Sequence, residues 1–329
     1  WVEFSQDAVV RKLPSRANWE AVFARHIASA IHTPELKSAQ SVEINESLRN
    51  ELNAQPLPKQ FSEPHKLFQP GGETVAWRYL NSFVHSRAEN YARHLSKPEL
   101  SRKSCGRVSP YIAFGNLSIK QIFRLCQQEQ AKKHYGYVFD SFLSRVWWRS
   151  HYMQKLESEY QIEFEPINRG FNSFRYATNQ HFEAWATGQT GIPMVDASMR
   201  SLHETGFLNF RMRAMLVTFA TFALKIDWRQ IATHLAKLFL DFEPGIHYPQ
   251  IQMQAGLTGY HPLRIFNPMI QSTQHDKDGV FVKKWVPELS KLTPQLLAEP
   301  HKMTAMEQGF YDFQIGREYK APIVNYEQA

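Results

Sequence analysis

Beyond Glu73 the apolar residues recur at every third or fourth position almost without a break, through residues 75–91, 119–126 and 138–156. That period gathers them on one face of a helix, whereas a half-buried strand needs strict alternation, which is scarce here. The sequence also has no internal repeat, no low-complexity tract and no strand, glycine-rich turn and helix in the order of a dinucleotide-binding unit. These features predict an all-α domain over residues 73–329. A nucleotide cofactor in such a domain would have to be held without a Rossmann fold.

Residues 1–72 read as a lead-in. Ser15 is placed to cap a helix running through Phe23 to Ile31, a short helix is expected from Ile44 to Leu52, and Pro56, Pro58, Pro64 and Pro70 mark an extended, mobile stretch closed by Gly71 and Gly72. Trp1 in place of Met points to removal of something N-terminal. With 43% hydrophobic residues in 329, the chain can bury the core of one large domain. No apolar run approaches about 20 residues, so no membrane association and a cytoplasmic location are expected, with a monomer as the default. Cys105 and Cys126 are too few for a disulfide framework or a four-thiolate iron–sulfur cluster, and no metal site is expected. Lys and Arg outnumber Asp and Glu by 38 to 31, for a net charge of +7, which suits a polyanionic partner.

Four stretches carry residues suited to chemistry. In Ser104-Cys105-Gly106-Arg107-Val108-Ser109-Pro110-Tyr111, small residues and an arginine precede a helix expected to start at Ser118. Backbone amides and a guanidinium both favour an anion, and a plain polar loop would read the same way. Within residues 142–152 the helical period puts Arg145, Trp148, Arg149 and Tyr152 on one face. Arginine interleaved with aromatics suits phosphates and an unstacked base, and it equally suits an amphipathic helix with core tryptophans. Further on, Gly206 reads as the stop of one helix and the start of the next. On that next helix Arg211 and Arg213 are about 200° apart and must face nearly opposite sides. Asp241 and Glu243, ahead of Pro244-Gly245, could accept hydrogen bonds from a ribityl or heterocyclic group or pair with arginines.

In this order and spacing several segments resemble the photolyase and cryptochrome family from about Tyr91 to Leu289. They are Gly106-Arg107-Val108-Ser109-Pro110-Tyr111, Trp147-Trp148-Arg149, the run Thr190-Gly191-Ile192-Pro193-Met194-Val195-Asp196-Ala197-Ser198-Met199-Arg200, Ile226-Asp227-Trp228-Arg229, and Arg264-Ile265-Phe266-Asn267-Pro268 with Trp285-Val286-Pro287-Glu288-Leu289. The resemblance implies a helical domain that holds FAD non-covalently at the bottom of a basic, DNA-facing cavity. It implies light-driven electron transfer from reduced FAD to a pyrimidine lesion in DNA, or a cryptochrome-like signalling output. On the family's pattern Tyr91 with Cys105, Gly106, Arg107, Val108 and Ser109 would hold the pyrophosphate, Cys105-Gly106 standing where Thr-Ser is commoner. Phe142, Arg149, Arg213, Asp241, Phe242, Glu243 and His247 would surround the flavin. Arg149, Arg211 and Arg264 would contact phosphates, and Arg145, Trp148, Phe210 and Met253 would face the DNA. The family's N-terminal α/β antenna domain has no counterpart in the sequence, which leaves the antenna pigment undefined.

The departures from the family bear on function. Arg145 stands where dimer-repairing members carry a lesion-binding Glu, Phe210 replaces a lesion-contacting Asn, and Ala214 replaces a Met. The two histidines of six-four enzymes find no match in Leu208-Asn209-Phe210. Each unsatisfied base edge would cost about 1–3 kcal/mol. In the electron relay Trp185 and Trp228 match the outer and middle tryptophans, but the flavin-proximal place falls to Ile251, which cannot be oxidised. Tyr248, Trp147 or Trp148 would have to substitute. His247 stands opposite the flavin's central nitrogen and is expected to titrate near neutrality. Trp148, Trp185, Trp228 and His247 are therefore the candidate redox and proton-handling residues.

Overall fold

The computed structural model describes residues 6–326 except 36, 38–39, 41–42, 53–54, 60–62, 64, 177–179 and 261. Pro64 of the expected extended stretch thus lies outside the described residues. Among these the chain is helical, and the only pairing of strand type is an isolated bridge between Ile315 and Tyr319. The N-terminal half contains α1 (Trp19–Ala28), α2 (Glu46–Leu52), α3 (Glu73–His85), α4 (Tyr91–His94), α5 (Pro98–Ser104), α6 (Ser109–Ala113), α7 (Ile119–Gln130) and α8 (Tyr137–Ser158). The C-terminal half contains α9 (Phe182–Ala186), α10 (Pro193–Thr205), α11 (Phe210–Thr218), α12 (Trp228–Leu238), α13 (Pro244–Gln254), α14 (Pro268–His275), α15 (Val280–Trp285) and α16 (Ala305–Phe310).

Local chemistry sets many of these boundaries. Ser118 Oγ accepts from the Gln121 amide while the Gln121 side chain accepts from the Ser118 amide, a reciprocal cap that starts α7. Gly206 ends α10 in the left-handed region at φ +61°, where a side chain would be strained. Asp227 and Asn267 cap α12 and α14 through their side chains. Ser15 is not the cap of the first helix. Asn18 occupies that position, and Ser15 Oγ instead accepts from the Ala17 amide, three residues too early.

Two apolar cores follow. One joins α1, α3, α7 and α8 through Trp19, Phe23, Leu80, Phe83, Ile122 and Phe139; the other is built on α10 to α15. Trp19 and Phe23 are 3% and 5% exposed, and burying each contributes about 1.5–3 kcal/mol. Residues 6–28 therefore pack as part of the first core. Val10 adds a two-way clasp, its amide donating to Gln154 Oε1 at 2.7 Å and its carbonyl accepting from Gln154 Nε2 at 3.0 Å. The halves meet where α13 crosses α8. Gly245 permits that approach, since a Cβ there would lie 2.7 Å from Met153 Sδ and 2.9 Å from its Cα.

Candidate functional site: a cleft walled by α11, α12 and α13

Beside this crossing lies a cleft of about 560 Å³, open solvent included, walled by α11, α12, α13 and residues 239–243. Its apolar wall includes Ala214, Val217, Leu235, Phe239 and Ile251, and its polar groups are Arg213, Asp241, Glu243, His247, Gln250 and Gln254. Arg213 descends from the first turns of α11. Its Nη2 donates to both Asp241 carboxylate oxygens at 3.0 Å, its Nε donates to the Leu208 carbonyl at 2.7 Å, and its guanidinium lies 4.0 Å over Phe239. Ser109 Oγ, from the start of α6, donates to Asp241 Oδ2 at 2.8 Å. Asp241 thus ties the small-residue loop of the N-terminal half to the arginine of the other.

Arg149 is only 6% exposed and lies between two carboxylates. Its Nε donates to Asp7 Oδ2 at 2.8 Å and its Nη2 to Glu243 Oε2 at 2.6 Å. This corrects the expected phosphate contact: buried and already paired, Arg149 has no face to offer DNA. Of the α8 residues expected to face DNA, Arg145 and Trp148 remain exposed, while the neighbouring Trp147 turns toward Phe23 in the first core. Arg145 bonds Tyr91.

His247 is also corrected. It is 7% exposed, and its Nε2 lies 2.9 Å from the Ala232 carbonyl, so Nε2 carries the proton and Nδ1 is left as an acceptor. Burial, with a smaller contribution from Arg213, pulls its pKa down to about 4, so the ring is neutral at neutral pH. The expected titration near neutrality does not occur.

Of the expected pyrophosphate loop, Ser109 reaches the cavity through Asp241, and Arg107 lies 4.5 Å over Phe207 with its Nε buried and unpartnered. Arg107 sits in the left-handed region at φ +55°. Burial and the neighbouring Arg107 depress the Arg87 and Arg102 guanidinium pKa values, marking a crowd of cations. Cys105 is held as a thiol, burial pushing its pKa up to about 12. Tyr91, Val108 and Phe142 are buried in the first core, where Gly106 lets the Phe142 ring close in; its Cβ would meet that ring at 2.9 Å. None of these lines the cavity itself.

Phe210 and Phe242, 52% and 36% exposed, line the cavity and also face solvent. Arg211 points elsewhere than Arg213, 5.8 Å over Phe266 with its Nε unpartnered, as the 200° offset about the helix axis requires. Arg264 is exposed and Met253 is partly buried. Trp185 and Trp228 lie in the second core, 0% and 3% exposed, with their indole nitrogens unpartnered. Trp185 therefore cannot be the solvent-facing end of a relay. Sequence reasoning missed Asp7, Gln250 and the bond from Tyr248 to Glu163. No spacing signals the two pairs, since their partners come from distant segments, and burial of Gln250 Oε1 depends on the tertiary packing.

The residues present fit FAD. Gln250 Oε1 is buried in the cavity wall without a hydrogen-bond partner, a polar group that calls for a ligand. Asp241 and Glu243 supply acceptors, Arg213 a cation, and the opposite wall is apolar. Among the described residues no helix is long and apolar enough to cross a membrane, and no group of three or more His, Cys, Asp or Glu could hold a metal ion.

Comparison with known proteins agrees with this geometry. The family pattern described as the FAD binding domain of DNA photolyase matches residues 142–329. A deoxyribodipyrimidine photo-lyase of Alkalihalophilus pseudofirmus is 30% identical over 260 residues, covering 78% of this chain and 53% of the relative. A Cryptochrome DASH of Gloeobacter violaceus is 28% identical, covering 79% and 52%. The chain thus spans about half the length of the curated relatives it matches. Among solved structures, a bacterial class III photolyase from Agrobacterium tumefaciens superposes with a TM-score of 0.77 at 26% identity, covering 88% of this chain and 60% of that one. The chain belongs to the DNA photolyase and cryptochrome family, and it carries that family's FAD-binding domain.

Proposed function

We propose that this protein holds FAD non-covalently in the cleft walled by α11, α12 and α13 and uses blue light to drive electron transfer from reduced FAD to a pyrimidine lesion in DNA. The observation that carries the reading is the Ser109–Asp241–Arg213 constellation, which joins both halves at the polar end of the cleft. When bound, FAD supplies light absorption and one-electron chemistry. Asp241 orients Arg213, Arg149 fixes the Glu243 side chain, and the apolar wall excludes water. Neutral His247 keeps Nδ1 as an acceptor without adding charge. Arg145, Arg211 and Arg264 are the cations left for DNA phosphates.

A cryptochrome-like photoreceptor without repair activity is the second reading. What favours it is Phe210, an apolar ring half exposed at the cavity where a lesion's base edges would need partners. The experiment is a repair assay under blue light with cyclobutane and six-four lesions in single- and double-stranded DNA. Repair of either lesion supports the first reading. A yellow, FAD-containing protein that repairs neither supports the second, and a preparation that takes up no FAD overturns both.

A further inference from the structure

Ile251 is 4% exposed and lines the cavity, so an aliphatic side chain occupies a wall facing the cofactor. Trp185 and Trp228 belong to the same apolar core as Ile251. Trp228 has an unpartnered indole nitrogen and the Arg229 guanidinium 4.6 Å over its ring. Removing an electron there would place a positive charge beside an existing one. Trp185 is fully buried, and its indole N–H has no acceptor either. Neither indole N–H is hydrogen-bonded to an acceptor among the described residues, so neither has a built path for its proton.

Tyr248 is differently equipped. Its hydroxyl donates to Glu163 Oε1 at 3.0 Å. Its ring lies 5.3 Å from His247 and 6.4 Å from Phe242, which both line the cavity. Tyr248 is partly exposed, within reach of a donor in solution. The carboxylate is held there by a built contact. One turn along α13 the fully buried Gln252 donates to the Ile162 carbonyl at 2.7 Å and the Glu165 carbonyl at 3.0 Å, and accepts from the Ile167 amide at 2.6 Å. Three bonds from one side chain fix residues 162–167 against the helix that carries Tyr248.

We propose that Tyr248 and Glu163 act together as a proton-coupled electron donor to light-excited oxidised FAD; this rests on the FAD reading above. Tyr248 gives up one electron to the flavin, and its hydroxyl proton passes along the existing hydrogen bond to the Glu163 carboxylate. A neutral tyrosyl radical and a protonated Glu163 remain. A thiolate in solution then supplies one electron to the radical, becoming a thiyl radical, and Glu163 returns the proton to restore the phenol. Burial first, and Glu163 second, push the Tyr248 pKa up to about 12, so the group starts as a neutral phenol that must shed its proton as it is oxidised. His247 does not compete for that proton, because the hydroxyl donates to Glu163 and burial disfavours a charged imidazole.

The test uses the full chain loaded with FAD, illuminated with blue light in the presence of thiol. It is read by flavin bleaching and by electron paramagnetic resonance on frozen samples, with FAD content measured for every variant. A tyrosyl radical is expected in the wild type and lost in Tyr248→Phe, together with most of the bleaching rate. Glu163→Gln, which keeps the shape and removes the proton acceptor, is expected to slow bleaching and to diminish its solvent deuterium isotope effect. Ring-deuterated tyrosine narrows the radical signal without any substitution, a check independent of folding. A signal that persists in Tyr248→Phe, bleaching unaffected by both variants, or an indole radical that disappears in Trp228→Phe overturns the proposal. Failure to take up FAD overturns it together with the functional reading, whereas FAD uptake with Tyr248-independent bleaching overturns this inference alone.

Discussion

Asp7 and Arg149 meet inside the protein although 142 residues separate them in sequence. Arg149 Nε donates to Asp7 Oδ2 at 2.8 Å, and the side chains are 6% and 5% exposed. The N-terminal segment thereby supplies one of the two carboxylates that neutralise a buried guanidinium beside the cavity. Removing it with Asp7→Ala strands that charge and is expected to lower stability by about 3 kcal/mol. Arg11→Ala, on the same segment but exposed, is expected to lose under about 1 kcal/mol. Urea denaturation of the two variants decides, and equal losses would contradict the account.

The depressed pKa of His247 ties stability to pH. Below about 6.5 the unfolded chain binds a proton there, while the folded chain does so only near 4, so stability falls as pH drops through this window. At 1.36 kcal/mol per unit the loss approaches about 3 kcal/mol at the acid end. His247→Gln keeps a donor for Ala232 and removes the titration. Denaturation midpoints between pH 7 and pH 4 are expected to fall less steeply in that variant, and parallel curves would refute the assignment.

FAD retention is expected to depend on Asp241. Asp241→Ala strips Arg213 of its carboxylate and Ser109 of its acceptor. Losing hydrogen bonds to a charged group, about 1.5–3 kcal/mol, weakens FAD binding roughly ten- to a hundredfold. Flavin absorbance per protein after gel filtration measures it. Wild-type occupancy would remove Asp241 from the site.

DNA binding is expected to weaken as salt rises. Arg211→Ala and Arg264→Ala are each expected to lower affinity uniformly across sequences and to reduce the salt slope by about one unit. Arg149→Ala, removing a buried residue, would act through folding or FAD retention instead. Binding titrations at several salt concentrations test this, and unchanged slopes in both surface variants would exclude those phosphate contacts.

The C-terminal segment is fastened by Tyr319, whose hydroxyl donates to Asp196 Oδ2 at 2.6 Å. Asp196, fully buried, also accepts from the Thr190 amide and hydroxyl and from the Gly191 amide. Tyr319→Phe leaves the carboxylate one partner short and is expected to cost about 2 kcal/mol, read from the denaturation midpoint. FAD content is expected to stay at the wild-type level, because Tyr319 does not line the cavity.

The amino-acid sequence alone determined the helical class, because a period of three to four is a local property of apolar spacing. It determined the cap at Ser118, the stop at Gly206 and the opposed directions of Arg211 and Arg213, all set by residues within two turns of one another. The pairing of Arg213 with Asp241 was legible only through the family resemblance. Tertiary structure decided the rest. Asp7 on Arg149 and Glu163 on Tyr248 join segments that no spacing relates. The same packing withdrew Arg149 from DNA, closed Trp185 off from solvent and kept His247 neutral. Burial sets each of these outcomes by removing water from around a group, and burial depends on which distant segments pack over it.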